Sequence, residues 1–123
     1  DITDIFFACC NEKLDSTKIE WHKEKSLCIV LCSKGYPDKY KNNLQINNLD
    51  KIKLDKNEFI FHAGTKFSAN KIYSNGGRVL NFVGLSKNLI NARKKCLSNI
   101  NLINWTDGFF RKDIGWRVIK IIK

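Results

Sequence analysis

The chain has 123 residues, 43% of them hydrophobic and 28% charged, with 22 Lys and Arg against 12 Asp and Glu for a formal net charge of +10. These values exclude a second sizeable domain and a long disordered tract, and no apolar run approaches the roughly 18 residues of a transmembrane helix. The charge favours an anionic partner, either nucleic acid or a phosphorylated metabolite, although many lysines in a sequence this rich in Lys, Asn and Ile only solvate a surface.

The chain begins at Asp1 with neither a Met nor a signal-peptide pattern, as expected of a segment from the middle of a longer polypeptide. Residues 2–10 read as the tail of an amphipathic helix, with Ile2, Ile5, Phe6 and Cys9 on one face. Residues 18–22 alternate, Ile19 and Trp21 facing one way, which predicts a strand. Residues 27–32 are apolar throughout and predict a strand covered on both faces. Gly35-Tyr36-Pro37-Asp38 ends it as a turn. The polar stretch 41–57, anchored by Leu44, Ile46, Leu49, Ile52 and Leu54, predicts a short strand and an irregular connection.

Residues 59–63 predict the next strand, with Gly64-Thr65 as a turn. A hairpin turn over residues 68–71 then separates Phe67 from Ile72-Tyr73. Asn75-Gly76-Gly77 signals another turn before a strand over residues 78–85. Ser86 suits the N-cap of a long amphipathic helix carrying Leu89, Ala92, Cys96, Leu97, Ile100 and Ile103 at helical spacing. Gly108 opens the closing segment. Strands cluster first and the long helix follows, so the expected fold class is α+β, with a mostly antiparallel β-sheet or partial barrel.

The five cysteines are Cys9, Cys10, Cys28, Cys32 and Cys96. Their odd number and irregular spacing argue against a disulfide framework and for a reducing, cytoplasmic compartment. A metal site is not expected. Cys28 and Cys32 lie four residues apart on one strand, a separation of roughly 13 Å that no single ion spans. The cysteines are expected to fill the core.

No nucleophile elbow, P-loop or GxGxxG is present, and no acid pair has the spacing of general acid–base partners. No catalytic residue is therefore assigned. Three stretches suit an anionic ligand. Asn75-Gly76-Gly77-Arg78 joins a tight turn to a guanidinium, where successive amides can form a nest. His62-Ala63-Gly64-Thr65 is a loop with a hydroxyl. Arg111-Lys112-Asp113-Ile114-Gly115 sets two cations side by side at a bend. On pattern alone, a plain turn carrying a solvated charge is the leading reading of each stretch.

Four longer stretches carry a resemblance. Cys28-Ile-Val-Leu-Cys-Ser-Lys-Gly-Tyr-Pro-Asp-Lys-Tyr40, Phe61-His-Ala-Gly-Thr-Lys66, Ser74-Asn-Gly-Gly-Arg-Val-Leu80 and Phe110-Arg-Lys-Asp-Ile-Gly-Trp-Arg117 occur in order across essentially the whole chain. Together they resemble the C-terminal domain of phosphoribosylamine–glycine ligase, an enzyme of the ATP-grasp superfamily. The resemblance implies a part in joining 5-phosphoribosylamine to glycine with ATP, through an acyl phosphate, in purine biosynthesis. It implies that residues 1–14 leave the ATP-grasp module as a helix and that residues 15–123 form the C-terminal domain. The partners it implies are the N-terminal and ATP-grasp domains of the same polypeptide, which would hold ATP and Mg2+. The chain alone then has no cofactor and no activity, and no membrane partner is expected.

By the same resemblance Arg111 and Lys112 are the first candidates for the substrate's 5′-phosphate, and Arg78 the next. A guanidinium grips phosphate bidentately while an ammonium adds a point charge. His62, Gly64, Thr65, Gly76 and Gly77 are candidates to line the same cleft. Asp38 departs from the Gly usual in the family's Gly-Tyr-Pro-Gly turn, and Trp105-Thr106-Asp107-Gly108 departs from its Trp-Asp-Gly pattern. Two alternatives stay open. One is a structural lid that touches no substrate. The other is a basic module for single-stranded nucleic acid, disfavoured because Phe59, Phe61 and Phe82 sit where the strand pattern buries them. A domain normally covered by others should expose apolar side chains, with Ile5, Phe6 and Trp116 the expected ones.

Overall fold

The computed structural model describes the backbone of residues 1–121 and side chains up to Ile119. Its centre is a nine-residue strand, β1 (Lys25–Ser33), in which Leu27, Ile29, Leu31 and Ser33 are buried at every second position. β1 pairs antiparallel with β6 (Arg78–Ser86), from Lys25 opposite Ser86 to Leu31 opposite Leu80. A bulge then sets Cys32 opposite Arg78, and the extra residue lets Val79 and Leu80 both be fully buried. On the far side of β6 lies β3 (Glu58–His62), and on the far side of β1 the short β7 (Gly108–Phe109). The four strands run in the order β3-β6-β1-β7, each pair antiparallel.

One face of this sheet is covered by helix α2 (Leu89–Leu102), which presents Ala92, Cys96 and Ile100 to Leu27, Ile29, Leu80 and Phe82. Each large aliphatic or aromatic side chain buried there is worth about 1.5–3 kcal/mol. Gly84 allows the approach, because a Cβ on it would stand 2.4 Å from the Ala92 carbonyl oxygen. The N-cap of α2 is Asn88, whose side chain accepts from the amide of Asn91 at 2.8 Å; Ser86, the expected cap, is the last residue of β6. The sheet runs two residues past the predicted boundary and delays the helix.

A second, three-stranded sheet contains β2 (Gln45–Ile46), β5 (Lys71–Ser74) and β4 (Thr65–Ser68) in that order. Its hairpin turns at Ala69-Asn70, where both residues have positive φ, 47° and 59°, as a two-residue turn between twisted strands requires. The two sheets stay separate, so the architecture is α+β without a closed barrel. α1 (Ile2–Cys10) precedes the sheet and buries only Ala8, leaving Ile2, Phe6 and Phe7 exposed. The C-terminal helix is α3 (Trp116–Ile121). Among the described residues no helix is long and apolar enough to cross a membrane.

Four expectations are corrected. Residues 18–22 form no strand, because no segment among the described residues pairs with them; Trp21 is 87% exposed. β1 is covered on one face only, with Cys28 exposed and Val30 and Cys32 half-buried. Consequently Cys96 alone among the cysteines fills the core, while Cys9, Cys10 and Cys28 are exposed. Phe82 is buried as predicted, but its neighbours Phe59 and Phe61 lie on the opposite, open face, 40% and 54% exposed.

Candidate functional site

The four strands bring their functional ends together. β1 and β3 finish, and β6 and β7 begin, at one end of the four-stranded sheet, so the candidates from three distant stretches of sequence meet there. The two glycine turns lie against each other. Gly64 donates its amide to the Arg78 carbonyl at 2.9 Å, and Asn75 donates to the Gly64 carbonyl at 2.8 Å. A Cβ on Gly64 would stand 2.7 Å from the Arg78 oxygen and 2.9 Å from the Gly76 Cα, so the turns approach closely only because both residues are glycine. Ser33, buried at the end of β1, ties this pair to the sheet. Its amide donates to the Gly77 carbonyl at 2.8 Å and its hydroxyl to the Gly76 carbonyl at 2.7 Å.

These bonds limit what the turns offer an anion. The amides of Ala63, Gly64, Thr65 and Asn75 are all spent on carbonyls, and no residue from 75 to 78 has the positive φ of an alternating nest. His62 and Thr65 are partners of each other, Nδ1 and Oγ1 being 2.9 Å apart. The cation of this corner is Arg78, which is exposed.

Arg78 opens onto a cleft of about 500 Å3 lined also by Tyr36, Tyr40, Gly77, Val30 and Asn81. The Tyr36 ring sits where a Cβ of Gly77 would be, 2.0 Å from its Cδ2, and meets Tyr40 edge-on with centroids 6.1 Å apart. Tyr40 also borders a second cleft of about 450 Å3 that carries Lys34, Lys39 and Lys41. Two aromatic rings flanked by four cations suit a ligand with an anionic group. Sequence reasoning missed Tyr36, Tyr40 and Asn81. The first two stood in plain sight beside Pro37, whereas Asn81 is visible only once β6 is paired.

The basic segment 111–115 is built differently. Arg93 on α2 holds it, donating from Nε to the Ile114 carbonyl at 3.1 Å and from Nη2 to the Lys112 carbonyl. Arg111 is engaged by Asp113 through two bonds, Nε to Oδ1 at 3.1 Å and Nη2 to Oδ2 at 2.8 Å. That pair holds the Asp113 carboxyl below its ordinary value and raises the guanidinium of Arg111 above its own. Arg111 lines one cleft beside Trp116 and Arg117, and Lys112 another beside Trp105 and Phe109. Within this chain Arg78, Arg111 and Lys112 therefore share one end of the sheet without sharing a cleft. Cys32 pairs with Arg78 on one side and with Phe109 on the other, so two strand spacings, about 10 Å, separate the backbones. Among the described residues no group of three or more His, Cys, Asp or Glu side chains converges on one point.

Residues 26–117 match the family described as Phosphoribosylglycinamide synthetase, C domain. The chain is 35% identical over 122 residues to the chloroplastic phosphoribosylamine–glycine ligase of Arabidopsis thaliana, covering 98% of this chain and 23% of that protein. It is 36% identical over 121 residues to the phosphoribosylamine–glycine ligase of Escherichia coli K12, covering 98% of this chain and 28% of that one. The crystal structure of phosphoribosylamine–glycine ligase from Thermotoga maritima superposes with a TM-score of 0.68 at 27% identity, over 89% of this chain and 27% of that one. The chain thus spans about a quarter of the length of the relatives it matches.

Proposed function

The chain belongs to the family of phosphoribosylglycinamide synthetase C domains, and from that membership we propose that it serves as the C-terminal domain of a phosphoribosylamine–glycine ligase. The whole enzyme would join 5-phosphoribosylamine and glycine with ATP, giving glycinamide ribonucleotide, ADP and phosphate. ATP and Mg2+ would be held by the part of the enzyme outside this chain, together with the N-terminal and ATP-grasp domains. The role of this domain is to help close the substrate cleft and to supply cations to the 5′-phosphate of phosphoribosylamine. Five free thiols fit the reducing, cytoplasmic compartment of this reading.

The observation that carries the reading is the gathering of Arg78, Arg111 and Lys112 at one end of the sheet, from turns 33 residues apart in sequence, in a chain of this family. Arg78 is the cation held most directly by the sheet, and it lines one cleft with Tyr36 and Tyr40. Asp113 takes the Nε and one Nη2 hydrogen of Arg111, so a phosphate would either meet the remaining Nη1 side or replace the carboxylate. Lys112 adds a point charge on a segment that Arg93 keeps in place.

The test is a chimera in which this chain replaces the matching C-terminal part of the Escherichia coli ligase. Ligase activity in the chimera supports the domain assignment. Arg78→Ala or Arg111→Ala should then raise the KM for phosphoribosylamine about tenfold or more, the loss of one charged hydrogen bond at about 1.5–3 kcal/mol. An unchanged KM in both variants would leave the domain a lid that touches no substrate.

One observation favours the nucleic-acid alternative: the rings of Phe59 and Phe61 are exposed and nearly parallel, 6.1 Å apart, on a chain of net charge +10. Binding of the isolated chain to an oligothymidine, falling steeply with salt, would support it. Absence of binding at moderate salt removes it.

A further inference from the structure

β1 carries a pattern that this chain leaves half used. A sheet with one solvated face alternates apolar and polar side chains, whereas strands apolar at every position belong to sheets covered on both faces. Residues 27–32 are of the second kind, yet α2 covers one face only. The strand register defines the other. Cys28 lies beside Val83 and Phe59, and Val30 beside Asn81 and Phe61, so two rows of three side chains cross β1, β6 and β3. Five of the six are apolar, and the three at the centre and edge that are most exposed are Cys28, Phe59 and Phe61. Exposed apolar patches of this kind on a folded domain mark a contact surface.

We propose that this open face, centred on Phe59 and Phe61, is where the remainder of a phosphoribosylamine–glycine ligase docks, and that docking there roofs the Arg78 cleft. The inference rests on the proposed function and specifies which surface performs it. Two observations select the occupant. The relatives extend over about three quarters of their length beyond the part this chain matches, a body large enough to cover the face. The Arg78 cleft opens along the same face, because Val30 and Asn81 line the cleft and also belong to the second row. A cover resting on Phe61 therefore borders the cleft, and ligand sites form preferentially at such domain boundaries.

The other occupants fit less well. A second copy would bring two chains of net charge +10 together with Arg78 at the margin of each face. A nucleic-acid strand needs cations interleaved with the rings it stacks on, and the six positions hold none.

Cys28 is a native probe of the face, since its thiol is exposed in this chain. In the chimera with the Escherichia coli ligase, alkylation of Cys28 by N-ethylmaleimide, read by peptide mass mapping, should be about tenfold slower or more than in the isolated chain, as for a site freed only by transient opening. Phe61→Asp should restore the fast rate in the chimera while leaving the thermal midpoint of the isolated chain unchanged, because Phe61 is already exposed there. An active chimera whose Cys28 reacts at the isolated rate would overturn the docking surface and leave the domain assignment standing. An inactive chimera with reactive Cys28 would overturn both. Protection that survives Phe61→Asp, that appears in the isolated chain as its concentration rises, or that requires an added oligothymidine would equally sink the proposal, the last two in favour of a second copy and of nucleic acid.

Discussion

Arg93 and Ile114 are 21 residues apart in sequence and joined directly: the Arg93 Nε donates to the Ile114 carbonyl at 3.1 Å while its Nη2 donates to the carbonyl of Lys112. One guanidinium on α2 thereby fixes the turn that carries Arg111 and Lys112. Arg93→Ala should lower stability by about 1.5–3 kcal/mol, the range for hydrogen bonds to a charged group, measured by urea unfolding. Amide exchange should rise selectively in residues 111–115. Arg93→Lys keeps the charge without the fork and should recover only part of the loss.

The Arg111–Asp113 pair leaves a signature in solution. Asp113 titrates below its ordinary value because Arg111 hydrogen-bonds its carboxylate. In Arg111→Ala the carboxyl 13C resonance of Asp113 should titrate at higher pH than in the parent chain. In Asp113→Asn the guanidinium is released from its carboxylate. Titration with ribose 5-phosphate should then shift the Arg111 Nε resonance at lower ligand concentration. No change in either experiment would mean that the pair does not persist in solution.

Burial pushes the Cys96 thiol up to about 11, with its Sγ 3.2 Å from the Phe82 carbonyl and 3.3 Å from that of Leu27. A raised acid means that the folded chain keeps a proton the unfolded chain releases. The stability this contributes is complete below the ordinary thiol value near 9 and is lost as pH rises through about 11. Denaturation midpoints measured across this window should fall, and Cys96→Ala should flatten the fall. That variant should also lose about 1–2 kcal/mol at neutral pH, because the smaller side chain leaves a gap under α2.

Gly64→Ala should be among the costlier substitutions in the chain. Its Cβ meets backbone atoms of both Arg78 and Gly76, which cannot rotate away. About 1–3 kcal/mol of overpacking strain is expected in thermal unfolding. The same change should separate the two turns and perturb the Arg78 amide in NMR spectra. Gly77→Ala meets the Tyr36 ring instead, so its effect should concentrate on the Tyr36 and Tyr40 ring resonances.

How far the sequence carried depended on the range of the forces involved. The hairpin at Ala69-Asn70 and the long helix were legible because turn chemistry and helical periodicity act within a few residues. The same local reasoning failed for residues 18–22, where alternation alone makes no strand without a neighbour to accept its hydrogen bonds. It failed at Ser86 because continued pairing with Lys25 outweighed a favourable cap. For the candidate site, the residue types were readable but their partners were not. Nothing local links Arg93 to Ile114, Ser33 to Gly76, or Asp113 rather than a ligand to Arg111.

By itself the sequence determined the α+β composition, most of the strands, the long helix and the family motifs, all of which rest on periodicity, turn residues and short ordered stretches. Tertiary structure alone decided which face of β1 is covered, which cations share a cleft and which are already paired. Those outcomes depend on register and on approach between segments tens of residues apart. A shift of one residue in pairing exchanges the two faces of a strand, and no local signal sets that choice.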